Sequence, residues 1–505
     1  MLPTFYGELV PDNSQLVGYT WLVNEFSLKL PMHQLSCKSL KRLDNGTKKQ
    51  GAWTIFDSQL RLEDSVFGHL KFALKHEVLD LLLLKRILEE LQASEIVDFI
   101  KQENESLVSR TIWFYYENLL GQMLDIEDTK IKKYSNLLDS KKYICNENSQ
   151  KSIRHKVINN HLGNNKICAV VCRTDKLKSF LDMNLQNKAQ KITGNLEPSV
   201  LQRASRFLLL ADSKASFEIE GERAPQNDLE RWSKAVMEAG KTEISIKELT
   251  RIQALLFKSS KYISCGIRKE GVFLGGRDQN NEPVPEFIGA KEEELEQILN
   301  ALIELNNQFA ESKLDPMIHA AIISFAFVFI HPFVDGNGRI HRYLIHQILA
   351  SRKFYPNELV FPISSAMKEN LDGYSQALKG YSSHVMEQIE WESTESKNVK
   401  VLNNTKDFYT FINFTEIVEF LFECAEVTIE KLIREEIEYL NAFDKSFKEI
   451  NHEISLADND ISLLISCIFS NEGILSKRKK EKFFDHISQE DIETIEEIVR
   501  ENFRI

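Results

Sequence analysis

The sequence predicts a mainly α-helical protein with one short β-hairpin in its middle, and three observations point that way. Apolar residues recur at helical spacing through most of the 505-residue chain. Glycine and proline are scarce, at 20 and 11, which leaves little room for long unstructured connections. Within the core only the stretch 263–287 breaks the pattern, where Gly266, Gly271, Gly275 and Gly276 punctuate two short extended segments. The length exceeds one ordinary domain. Shifts in composition divide it into an N-terminal part (1–190), a core (196–383) and a C-terminal part (400–505).

Taken in order, the N-terminal part opens with an apolar run around Trp21 and a polar, glycine-bearing stretch that ends near Gly51. Helical periodicity follows over 69–100 and again over 112–120, where the aromatic cluster around Trp113 reads as core. This part is expected to be a mostly helical accessory domain. A gap rich in Lys, Asn and Gln over 178–195 is the expected boundary. The core is helical apart from the hairpin. In the C-terminal part, helical patterns cover 408–439, 461–469 and 489–503. Between the last two lie a turn at Gly473 and a basic segment, 477–482, that follows Ser476, an order that suggests a winged-helix or helix-turn-helix module. That basic segment could grip nucleic-acid phosphates, but a solvated basic face is the favoured reading.

Composition narrows the function. A net charge of −12 argues against nucleic-acid binding by the whole surface. Hydrophobic content of 43% with 31 Phe is ample for folded cores. The seven cysteines are odd in number and scattered. Cys168 and Cys172 stand in a C-x-x-x-C spacing with no second pair, and read as buried thiols rather than a zinc site. No charged segment followed by an apolar one opens the chain, and no apolar run is long enough to span a bilayer. A reducing, cytoplasmic setting is expected; secretion without an N-terminal signal stays open. No Walker-type phosphate loop and no H-E-x-x-H occurs.

The chemistry concentrates in 331–342, which reads HPFVDGNGRIHR. An apolar helix over 317–330 starts near Pro316. Pro332 cannot continue it, so His331 is expected where the chain turns out. Gly336 and Gly338, on either side of Asn337, can take positive φ and point backbone N–H groups together into an anion cradle. A second helix from Asn337 would aim its positive end at the same anion. His331 suits proton abstraction near neutral pH. Asp335 is a hard carboxylate that suits Mg²⁺ shared with substrate phosphates. Arg339 and Arg342 suit bidentate phosphate contact.

This string matches every fixed position of the Fic signature, H-x-F-x-[DE]-G-N-G-R-x-x-R, and on it the chain resembles the Fic family. The resemblance implies a helical Fic core that transfers a nucleotide monophosphate, usually AMP from ATP, onto a hydroxyl of a target protein. It implies His331 as general base, Phe333 as the anchor of the loop, and Asp335 as the Mg²⁺ ligand. Gly336, Asn337 and Gly338 would form the anion hole, Arg339 the phosphate clamp, and Arg342 the second arginine near the γ-phosphate. It also implies that the hairpin is a flap that docks the target chain by strand addition, a plain surface hairpin being the alternative. Self-modification and a homodimer stay open.

A second motif lies upstream. Ser216-x-x-x-Glu220-Gly221 resembles the inhibitory pattern [ST]-x-x-x-E-[GN] of internally restrained Fic proteins. The resemblance implies that Glu220 pairs with Arg342 and keeps the γ-phosphate from its productive pose, Ser216 helping to orient it. A carboxylate in a largely dry pocket needs a cationic partner. Three alternatives remain at this stage. Glu220 could position a water that removes AMP from the modified target. The transferred group could be UMP, phosphocholine or phosphate. From another class, the chain could be a DNA-binding regulator that uses its C-terminal module and keeps the core as a nucleotide sensor.

Overall fold

The computed structural model describes every residue except 1–2, 45, 104–105, 193–196, 259–261 and 357–358. The end of the expected boundary gap, 193–195, and the expected start of the core at 196 fall outside the described residues. The fold is mainly α, as the apolar spacing predicts, but its sheets go beyond the one expected hairpin. Strands run through 4–170, where the sequence suggests a mostly helical part, because their pairing joins segments distant in sequence. It divides into two compact units, each assembled from three stretches. The first comprises 1–183, 239–352 and 370–422; the second comprises 184–238, 353–369 and 423–505. Compact packing therefore interleaves segments that the linear reading placed in consecutive parts. One physical reason is that strand Cys168–Val170 pairs in parallel with Phe411–Asn413.

In the first unit, the N-terminal stretch holds a four-stranded sheet in the order Ser14–Leu16, Leu35–Ser39, Trp53–Phe56, Thr47–Gln50. The central pair, Leu35–Ser39 with Trp53–Phe56, is parallel. Helices Val66–His76, Leu81–Glu89, Ala93–Gln102 and Leu107–Leu120 follow. Ser65, Asp80 and Ser106 each accept a backbone N–H at a helix start, which satisfies groups that would otherwise have no helical partner. Trp113 is buried, and its indole N–H donates to Glu117 Oε1 at 2.8 Å. Burial pushes the Cys168 thiol up to about 12, and among the described residues no group of three His, Cys, Asp or Glu side chains is placed to hold a metal.

The centre of this unit is helix Pro316–Ile330, every residue of which is buried. A helix apolar on all sides must be enclosed. Helices Leu295–Ala310 and Asn337–Ser351 pack on it. The predicted hairpin forms as Phe273–Arg277 paired antiparallel with Pro283–Ile288, with a bulge at Leu274/Gly275.

The second unit is helical throughout its described residues. Helix Pro198–Glu218 packs on Ile363–Glu369 and Ile433–Glu453, and Arg203 forms a two-pronged ion pair with Asp444, at 2.8 and 2.5 Å. Helices Asp458–Phe469, Lys477–Phe483 and Gln489–Phe503 close around Ile461, Leu464, Ile468, Phe484 and Ile495. The helices expected at 461–469 and 489–503 and the turn at Gly473 match. The helical pattern expected over 408–439 begins only at Thr415, because Phe411–Asn413 is a strand paired with Cys168–Val170. The wing does not match: among the described residues no strand follows Asn413, because the stretch between the last two long helices is consumed by the turn and by Lys477–Phe483. Among the described residues no helix is long and apolar enough to cross a membrane.

Candidate active site

His331 sits where the two prolines put it. Pro316 opens its helix and Asp315 caps it, accepting from Met317 N–H at 2.8 Å. The helix ends at His331, which takes a left-handed backbone, φ 54° and ψ 59°. That conformation costs a side-chain-bearing residue roughly 1–3 kcal/mol, and it persists only where the surroundings over-determine it. Here they do. The His331 N–H donates to Phe327 O at 3.0 Å. Its carbonyl accepts from Arg268 Nε at 2.8 Å, and its ring lies 5.8 Å from that of Phe287. The ring Nδ1 lies 3.1 Å from Val328 O. A carbonyl can only accept, so Nδ1 carries the proton and Nε2 is the basic nitrogen of the neutral ring.

The loop after His331 is pinned by Phe333 and Asn337. Phe333 is fully buried against Phe327, worth about 1.5–3 kcal/mol of hydrophobic stabilisation. The Asn337 amide grips the Phe333 backbone twice, accepting from its N–H at 3.0 Å and donating to its carbonyl at 2.9 Å. The side chain of Asn337 is thus committed to shaping the loop, and what it can offer an anion is its backbone N–H.

Gly336 has φ +87°, and a Cβ there would come within 2.9 Å of the Phe257 ring, so only glycine fits. Gly338 differs from the expectation of positive φ. It lies in the first turn of helix Asn337–Ser351, because that helix begins one residue before it. The first helical bond of this element runs from Ile340 N–H to Gly336 O at 3.0 Å. The N–H groups of Asn337, Gly338 and Arg339 precede it, at the positive end of the helix. The cradle is therefore a helix N-terminus rather than two separate glycine turns.

Asp335 is half-exposed. Its Oδ1 accepts from Gly336 N–H at 2.6 Å and lies 3.6 Å from Arg339 Nη2. One half-exposed carboxylate at the mouth of an anion cradle fits Mg²⁺, which commonly takes one or two carboxylates, waters and substrate phosphates. Arg339 is buried, with its guanidinium 5.1 Å from the Phe257 ring centre. Arg342 is fully buried one turn further on. His341 is also buried; its Nδ1 donates to Ser324 O at 2.9 Å and burial lowers its pKa to about 3. His319 is lowered to about 3 by burial and by Arg352. Both are neutral structural histidines.

Sequence reasoning missed three residues that hold this site together. Arg268 is buried, and its guanidinium donates to three carbonyls, those of His331 (2.8 Å), Glu270 (2.7 Å) and Ala290, while its backbone N–H donates to Pro332 O at 3.0 Å. Burial lowers its pKa to about 10. Gln253, on helix Ile246–Leu256, donates to Asp335 O at 3.1 Å and accepts from Gly266 N–H at 2.7 Å. Phe257 receives both Gly336 and Arg339. Their partners are backbone groups or a ring distant in sequence, so no local pattern marks them.

The upstream motif belongs to the second unit. Helix Pro198–Glu218 carries Ser216, which is buried, and ends before Glu220. Glu220 follows in a turn, its N–H bonded to Phe217 O at 3.0 Å, and Gly221 has φ +72°. Glu220 is exposed, which differs from the dry pocket expected for it: the helix stops at Glu218, so the side chain lies beyond its packed face. Asp212, unnoticed in the sequence, is fully buried and accepts from the N–H groups of Ser364 (2.6 Å) and Ser365 (3.2 Å), capping helix Ile363–Glu369.

Residues 243–349 match the Fic/DOC family. The chain is 29% identical over 124 residues to "Protein adenylyltransferase fic-1" of Caenorhabditis briggsae, covering 24% of this chain and 22% of that protein. It is 37% identical over 94 residues to a Fido domain-containing protein of Dictyostelium discoideum, covering 18% of this chain and 59% of that one. It therefore spans under a quarter of the adenylyltransferase's length. A solved Fic family protein from Desulfovibrio desulfuricans G20 aligns with a TM-score of 0.38 at 17% identity, covering 61% of this chain and 87% of that one.

Proposed function

We propose that this chain, which carries a Fic domain at residues 243–349, transfers AMP from ATP to a Ser, Thr or Tyr hydroxyl of a protein. The observation that carries this reading is the pairing of a basic His331 Nε2 with the N-terminus of helix Asn337–Ser351 across a loop pinned by Phe333 and Asn337. One end supplies a base and the other a preformed positive field, the two needs of phosphoryl-type transfer.

In this mechanism His331 Nε2 takes the acceptor proton. The resulting oxygen nucleophile forms a bond to the α-phosphorus as the bond to pyrophosphate breaks. The N–H groups of Asn337, Gly338 and Arg339 take the developing charge, and the Arg339 guanidinium clamps the phosphates. Arg342 is assigned to the γ-phosphate. Asp335 would hold Mg²⁺, which supplies charge neutralisation to the phosphates when bound. The hairpin Phe273–Arg277/Pro283–Ile288 is assigned the docking of the acceptor chain. It suits this because Phe287 packs beside His331.

Glu220 is proposed as a restraint on Arg342, on the strength of the Ser216-x-x-x-Glu220-Gly221 motif. The chain itself is the first acceptor to test, since self-modification requires no second protein. Incubating the chain with α-labelled ATP checks the reading. Label is expected on protein in the Glu220→Gly variant and absent from Glu220→Gly/His331→Ala. Label that persists without His331 would remove the base assignment.

A further inference from the structure

A second hairpin stands against the first. Trp391–Ser393 pairs antiparallel with Val399–Val401, and its base is fixed: Leu402 N–H donates to Glu390 O at 2.7 Å, Glu390 N–H to Asn403 Oδ1 at 3.0 Å, and Asn403 Nδ2 to Gln388 O at 2.8 Å. Its tip is equally ordered. Lys397 takes a left-handed backbone, φ 59°, within a turn closed by Lys397 N–H to Thr394 O at 2.9 Å.

This tip grips the flap at both ends. At the flap's turn, Lys397 Nζ pairs with Glu282, and Ser393 Oγ donates to the other Glu282 oxygen at 2.5 Å. Arg277 Nη1 donates to Lys397 O at 2.6 Å and to Asn281 O at 3.1 Å. At the flap's base, Asn398 Nδ2 donates to Gly271 O at 2.7 Å. A Cβ at Gly271 would overlap the Val399 carbonyl, so glycine permits the approach. From there the contact runs inward. Gly289 N–H donates to Val272 O at 3.1 Å, Ala290 N–H donates to Ile330 O at 3.1 Å, and a Cβ on Gly289 would lie 2.9 Å from the His331 Cβ.

An isolated two-stranded hairpin is marginally stable in water. The flap has only two strands; its second, Pro283–Ile288, packs on helix Leu371–Met386, and side chains from the second hairpin tie down its turn. We propose that the hairpin Trp391–Ser393/Val399–Val401 is a strut that holds the flap in register beside His331, with Lys397 and Asn398 as positioning residues for docking of the acceptor chain. This rests on the reading of the flap as the acceptor dock. It assigns these residues to acceptor binding and not to ATP.

The test uses the full chain in the Glu220→Gly background, with a His331→Ala copy of the same chain as acceptor and ATP as donor. Lys397→Glu places two carboxylates together at the flap's turn. It is expected to raise the acceptor KM by roughly threefold, the scale of a partly exposed ion pair, and to leave the ATP KM unchanged. The swap Lys397→Glu/Glu282→Lys is expected to bring the acceptor KM back, and Gly271→Ala to raise it independently. An unchanged acceptor KM, or one not restored by the swap, overturns the strut. Should the parent transfer nothing to the inert copy, the activity reading fails on its own. The strut is then decided by hydrogen exchange of the flap amides over 273–288: faster in Lys397→Glu and restored in the swap supports it, and no change overturns it.

Discussion

In the stretch 331–342 all residues except Val334, Asp335 and Gly338 are buried, and the loop is held from several sides. In the stretch 216–221 the helix ends before Glu220, and Glu220 is exposed. The difference suits the two tasks proposed for these motifs. A base and an anion cradle act only if fixed beforehand, since electrostatic stabilisation of a transition state depends on groups that need no rearrangement. A restraint must be able to leave, and an exposed carboxylate at a helix end exchanges its partners for water at little cost. Rigidity should therefore be measurable at one motif and dispensable at the other.

The comparison can be broken most sharply at His331. Replacing it with Ala should lower AMP transfer by about 10²–10⁴-fold, below what either labelling or intact mass detects, while ATP binding persists by equilibrium binding. Next comes the loop anchor. Phe333→Ala should cost about 3–5 kcal/mol in urea denaturation, because the cavity it leaves lies beneath the catalytic loop. Arg268→Lys should cost about 2 kcal/mol or more, since an ammonium cannot serve three carbonyls in one plane and each lost charged hydrogen bond is worth about 1.5–3 kcal/mol. It should also slow transfer by releasing the His331 carbonyl. If Arg268→Lys were silent in both, the over-determination of His331 would be an illusion of the contact pattern.

A pH titration reaches the same core. His319 and His341 have folded pKa values lowered to about 3 by burial, against about 6.5 unfolded. The unfolded chain binds their protons first, so their contribution to stability is present above pH 6.5 and is lost as pH falls from there toward 3. Glu77 and Asp80 act oppositely, raised by burial to about 7 and about 6. Their protonated native forms add stability as pH falls through those values toward their unfolded pKa. His33, His69, His155 and His161, each lowered to about 4 by burial, lose stability in the same direction as His319 and His341. The urea midpoint should therefore decline from about pH 6.5 downward despite the two carboxyls. In Glu77→Gln the decline should begin more steeply, because that offset is gone.

The smallest expected effect is at Glu220. An exposed residue outside a helix changes stability by about 0.5 kcal/mol or less, so Glu220→Gly should leave the denaturation midpoint where it is while transfer rises. A variant that gained activity only by loosening the fold would erase the contrast between the two motifs.

The helix–loop–helix around His331 was legible in the sequence because its signals are local. Pro316, Pro332 and Gly336 each act on their own backbone, and a helix apolar on all sides can only be enclosed. The mainly helical class and the interrupting hairpin were legible for the same reason. Arg268, Gln253 and Phe257 were not, since each is defined by a partner 60 or more residues away, as with Arg268 and the His331 carbonyl, or by a backbone group with no side-chain signature. The parallel pairing of Leu35–Ser39 with Trp53–Phe56, and of Cys168–Val170 with Phe411–Asn413, is equally non-local. The missing wing and the exposure of Glu220 come from helix ends, the features that sequence periodicity defines least well.

The central claim is that a fixed base at His331 drives group transfer that Glu220 restrains. Intact-mass spectrometry after incubation with ATP, run in parallel on the wild-type chain, Glu220→Gly and Glu220→Gly/His331→Ala, tests it most directly. The account predicts an added AMP mass that is greater in Glu220→Gly than in wild type and absent from the double variant. Equal modification of wild type and Glu220→Gly, or modification that survives loss of His331, would contradict it.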